Sequence, residues 1–186
     1  MKKYLSLLLA LALLVALLPA AHAEAVPFDK AVFSEQFLGV LAKNTGDAGF
    51  TFTLKEESSL ANLYMNESWV ATLAFNHMDE EGNALEEGTV NHFSLIVLCS
   101  SETEETALQS YLTLYAILSA AGLTVLYPDT AFADNLTLAM EDTLKPISAD
   151  PSPYTAEQGD YKVTYAVIKT DSLYLFGFQG QVIGLY

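Results

Sequence analysis

The chain has no arginine: its basic side chains are eight lysines, set against 23 acidic residues in 186, for a formal net charge of −15. Arginine supplies the planar fork that grips phosphate and carboxylate in two places at once. Nucleic-acid binding also needs a basic stripe that displaces counterions. With neither present, nucleic acid is excluded as a partner, and anionic lipid is disfavoured by the same sign of field. A cationic rather than anionic partner is expected, although acidity also serves simply to keep an exported protein soluble.

Cysteine is nearly absent. Cys99 is the only one, so no disulfide can form within the chain, and the core must hold the fold unaided. It falls at the end of an alternating apolar run, which suits a small buried hydrophobe better than a nucleophile. There are only three histidines, His22, His77 and His92. No Gly-x-Ser-x-Gly elbow is present. The glycines around Asp47 precede a strand and lack the lysine of a phosphate loop. No catalytic residue, cofactor site or metal site is assigned on these grounds.

Long hydrophobic runs are also missing, except at the N-terminus. Residues 5–18 are Leu, Ala, Val and one Ser, preceded by Lys2 and Lys3 and followed by Pro19 and Ala21-His22-Ala23. This is the layout of a secretory signal peptide over residues 1–23. Fourteen helical residues reach about 21 Å, short of the roughly 30 Å of a hydrocarbon core. Cleavage would leave one acidic α+β domain, residues 24–186, with six lysines against 23 acids, formally −17. No cysteine lies near the cleavage point to carry a lipid. The expected location is therefore outside the cell or in its envelope, with no stable membrane anchor after cleavage.

What is present is periodic apolar sequence, over half of the residues being hydrophobic. Residues 28–44 have helical spacing, with Asp29 as cap, Phe33, Phe37, Val40 and Leu41 on one face, and Gly46 as stop. Residues 50–54, 60–65 and 68–77 alternate as strands. Trp69, Ala71, Leu73 and Phe75 are expected on one face, and Phe93, Leu95, Val97 and Cys99 on one face of the next strand. Both sets face a core together if Phe75 pairs with Phe93 and Leu73 with Leu95. That register sends His77 and His92 to opposite faces and argues against a shared metal. The intervening loop, 79–88, carries five acids whose spacing is not that of an EF-hand.

Ser101-Glu102-Thr103-Glu104 has the form of a capping box. It opens a very apolar helix expected to end at Gly122, with a short strand at 123–127. A third helix is predicted over 130–145, then a Pro-rich loop over 147–160. In a closing hairpin, Tyr165, Tyr174, Phe176 and Phe178 share one face, while Ala166, Ile168, Leu173 and Leu175 share the other. A turn at Thr170-Asp171 would pair Val167 with Tyr174. Asn66 and Asn135 each begin a glycosylation sequon.

The expected fold is α+β: an antiparallel sheet of about six strands, a meander plus a C-terminal hairpin, with about three helices mainly on one face. The functional expectation is a secreted, non-enzymatic binding module. Its contact surface would be the aromatic hairpin, Tyr165, Tyr174, Phe176 and Phe178, or a sheet edge. The alternatives are a carboxylate-dependent hydrolase, needing two convergent acids in a cleft, and a structural protein assembled as a homodimer.

Overall fold

The computed structural model describes residues 30–57, 60–85, 89–143, 154–158 and 161–182. The signal-peptide expectation, the Asp29 cap and residues 86–88 of the acidic loop lie outside that set. Three helices, α1 (Lys30–Thr45), α2 (Glu105–Leu126) and α3 (Phe132–Thr143), accompany eight strands. The strands are β1 (Phe52–Glu57), β2 (Leu60–Met65), β3 (Ser68–Met78), β4 (Ala84–Leu85), β5 (His92–Ser100), β6 (Tyr154–Gln158), β7 (Tyr161–Lys169) and β8 (Leu173–Val182). Seven of them form one sheet in the order β1-β2-β3-β5-β8-β7-β6, and the two-residue β4 pairs with β3. Every pairing is antiparallel. The fold is therefore α+β, as the run of strand, helix and strand signals implies.

Helix α2 packs on β5 and β8 at the middle of the sheet; α1 packs on α2 and on β1 and β3; α3 packs on α2. The core lies between these helices and one sheet face. Phe93 stands at its centre, its ring 5.6–5.9 Å from those of Phe33, Phe37, Phe75 and Phe178. Each fully buried side chain of this size contributes about 1.5–3 kcal/mol relative to exposure. Helix α2 is long and apolar enough to cross a membrane, but Leu112, Tyr115, Leu118 and Leu123 are buried in this core. An all-round apolar helix is what a central, doubly covered position selects.

The β3–β5 register is the one the alternation requires: Phe75 faces Phe93, Leu73 faces Leu95 and Asn76 faces His92. Four local expectations change. First, α2 runs through Gly122 to Leu126 instead of stopping, so residues 123–126 are helical rather than a strand. Gly122 is there for packing, because a β-carbon would collide with the Phe93 ring. Second, the capping box does not form: Glu104 occupies the cap position with no side-chain cap bond. The Ser101 hydroxyl instead donates to the Asp171 carbonyl at 2.7 Å, tying the start of α2 to the β7–β8 turn.

Third, β6 arises where a Pro-rich loop was predicted, and β1 extends through Lys55–Glu57. Pairing with β7 and with β2 stabilises segments whose own alternation is weak. Fourth, Val167 pairs with Phe176 and Tyr165 with Phe178, two residues from the predicted register. The turn centres on Asp171-Ser172, because the Thr170 hydroxyl accepts from the Leu173 amide at 3.0 Å and the Thr170 amide donates to the Leu173 carbonyl at 2.8 Å. A slip of two leaves each side chain on its predicted face.

Candidate interaction face

Among the described residues all three helices lie on one side, so they leave the other face of the sheet uncovered. Its chemistry is laid out in cross-strand rows. At one end Asn76, His92, Gln181, Lys162 and Glu157 stand opposite one another across β3, β5, β8, β7 and β6. The next row contains Ala74, Ser94, Gln179, Thr164 and Thr155. Toward the other end the rows turn apolar: Ile96 beside Gly177 and Ala166, then Leu98 beside Leu175 and Ile168. Ile96, Ile168 and Leu173 are 41, 46 and 41% exposed. Large apolar side chains that open to water in adjacent strands make a patch of the kind that partners cover.

Tyr165, Tyr174, Phe176 and Phe178, the residues expected to form the contact surface, lie on the opposite, helix-covered face and are buried. Tyr165 packs edge-on to Phe178 at 5.2 Å, Tyr115 of α2 lies 5.9 Å from Phe176, and Tyr174 stacks on Phe176 at 6.2 Å. Rings so placed stabilise the core and offer a partner nothing. The hairpin's exposed side is the set Ala166, Ile168, Leu173 and Leu175. Ile96 and Leu98 of β5 join that set, and the sequence reading missed their contribution. The signal was present, since both are large apolar residues at the off-face positions of an otherwise alternating strand.

Trp69 was expected in the core beside Ala71. It is 44% exposed because a bulge interrupts β2–β3: Leu63 pairs with Ala71 but Tyr64 with Trp69, leaving Val70 unpaired. One extra residue rotates everything before it by one face.

The titratable groups are engaged locally. His77 Nδ1 lies 2.6 Å from the Thr89 carbonyl, and His92 sits on the open face, so the two imidazoles do not meet. His92 is only 9% exposed and its Nδ1 has no hydrogen-bond partner among the described residues; burial pushes its pKa down. The Asp79 carboxylate accepts from the Asn83 amide at 2.7 Å, the Asn83 side chain at 2.9 Å and the Glu81 amide at 2.9 Å. These bonds hold its pKa below the usual range, the opposite of what a general acid needs. Asn91 closes the loop, exchanging side-chain hydrogen bonds with the amide and carbonyl of Met78 at 2.7 and 2.8 Å. Burial pushes the Cys99 thiol up, opposed in part by a hydrogen bond with Thr103; a thiol so held is a poor nucleophile.

Among the described residues, no three His, Cys, Asp or Glu side chains converge as a metal would require. Of the sequons, Asn66 is exposed in the β2–β3 turn at positive φ. Asn135 is buried and donates to the Thr124 hydroxyl at 3.1 Å. Lys162 and Glu157 pair at 3.4 Å, an exposed contact worth at most about 1 kcal/mol. No family model matches the chain, and no similar protein was found among curated sequences or solved structures.

Proposed function

We propose that the chain is an exported, non-enzymatic interaction module that binds through the uncovered face of its sheet. One observation carries the reading: Ile96, Leu98, Ile168, Leu173 and Leu175 form a continuous apolar band on that face. An antiparallel sheet with one wet face ordinarily alternates apolar-in and polar-out along each strand. Here β5, β7 and β8 break that rule together and at the same end. Independent surface leucines would be scattered; a shared location is what a binding patch requires.

The test is a photo-crosslinking residue placed at Ile168 in the cells that make the protein, with the same residue at Leu138 of α3 as control. Leu138 is 38% exposed on the helical side. Irradiation is expected to give covalent protein adducts from position 168 and few from 138. Equal adduct formation from both positions, or none from 168, would remove the reading.

A further inference from the structure

We infer that the occupant of the uncovered face is a second copy of this chain, packed sheet to sheet; this rests on the reading of that face as a binding surface. The first argument is charge. The chain holds 23 acidic residues. On the open face of β3, β5, β8, β7 and β6 the charged side chains among the described residues are Lys162 and Glu157, which neutralise each other at 3.4 Å. A cationic partner drawn in by the net charge finds no counter-charge there. An acidic partner finds one further cation on this side of the sheet, Lys55 of β1, which lies at the far edge and rests over the Tyr64 ring at 4.4 Å. The face is matched to another neutral face, and its own copy supplies one.

The second argument is self-complementarity. A two-fold interface sets one patch against itself, so every group must be compatible with its own kind. Apolar side chains satisfy this. So do Gln179, Gln181, Ser94 and Thr164, because amides and hydroxyls both donate and accept. Charged rows of one sign would not. The third argument is size. Five strands spaced about 4.8 Å apart, four of them about 30 Å long and the five-residue β6 about 17 Å, present roughly 650 Å². That is close to the roughly 800 Å² that each partner contributes to a standard stable interface. Facing sheets about 10 Å apart would leave both sets of helices outermost.

Salt dependence gives the self-association a signature of its own. Two bodies of high negative charge repel at long range, and salt screens that repulsion. A neutral-faced dimer therefore tightens as sodium chloride rises, whereas a charge-matched complex loosens.

The experiment is sedimentation velocity on the exported protein over a range of concentrations, at about 50 and 500 mM sodium chloride, with light scattering for mass. The expected result is a dimer that tightens at the higher salt. Ile168→Asp and Ile96→Asp should each weaken it by about 100-fold or more, since like charges would then oppose each other in a dry interface. Leu138→Asp should leave it unchanged. Both substituted isoleucines are more than 40% exposed, and a far-ultraviolet spectrum checks that the variants fold. A monomer at all concentrations overturns the inference, as does a dimer indifferent to both aspartates. A monomer whose position 168 still crosslinks to a different protein overturns the second copy and keeps the binding reading. A monomer with no adduct removes both.

Discussion

Gly122 of α2 lies directly over the ring of Phe93 in β5, so closely that a β-carbon at position 122 would fall inside the ring's van der Waals envelope. Phe93 pairs with Gly180 across the β5–β8 ladder. A β-carbon at Gly180 would come within 3.1 Å of Leu126 and 3.3 Å of Leu123. The two glycines let the central helix settle onto the sheet: the Phe93 ring fills the space at Gly122, and Leu123 and Leu126 of the helix fill that at Gly180.

Gly122→Ala should therefore destabilise the protein even though alanine is the better helix former. Overpacking of this kind costs about 1–3 kcal/mol, against the roughly 1 kcal/mol that helix propensity returns. Phe93→Leu in the same chain should recover part of the loss, making the pair non-additive. Urea unfolding of the two single variants and the double variant measures this. A Gly122→Ala variant as stable as the parent would mean that the helix does not sit this close.

Two phenols fasten α2 and its C-terminal cap to β8. Tyr115 donates to the Gly177 carbonyl at 2.6 Å, and Tyr127 to the Gln181 carbonyl at 2.8 Å. Tyr115→Phe keeps the ring and removes the bond, and should cost about 1 kcal/mol. Tyr115→Leu also leaves unfilled volume and should cost more. The order parent, Phe, Leu in denaturation midpoint is the expected outcome; a reversed order of the two variants would contradict the assignment.

His92 gives a pH dependence of definite sign. Burial favours its neutral form, so its folded pKa lies below the ordinary value near 6.5. The unfolded chain then binds the proton more readily, and stability falls as pH drops below 6.5. The loss from this group grows as pH falls from 6.5 toward the lower folded pKa. His92→Gln should flatten the profile between pH 7.5 and 5.5. Equal slopes in the two proteins would show that His92 titrates alike folded and unfolded.

Trp69 is the only tryptophan, so its fluorescence reports the β2–β3 bulge without ambiguity. At 44% exposure it should be quenched readily by acrylamide, a neutral agent that the protein's charge does not repel. Deleting Val70 would restore the interrupted register and turn the indole toward the core, protecting it. Strong protection in the unaltered protein would place Trp69 where simple alternation puts it.

Most strand and helix locations, though not β6 or the last turn of α2, follow from the sequence by itself, because periodicity is a local property. Alternation at Phe93, Leu95 and Val97 needs no partner to be visible. The β3–β5 register followed too, since a slip of one would have sent Phe75 and Phe93 to different faces. The division of the last hairpin into an aromatic face and an aliphatic face was equally legible. Which of those faces meets water was not. Tertiary structure decided that, because the choice depends on β8 lying beside β5, where α2 covers whatever points toward it. The larger aromatic rings took the covered side, where more area leaves water. That left Ile168, Leu173 and Leu175 outside, beside Ile96 and Leu98 of a strand some 70 residues earlier. Gly122 shows the same limit in miniature. Locally a glycine signals a stop, and only the Phe93 ring beneath it makes the helix continue.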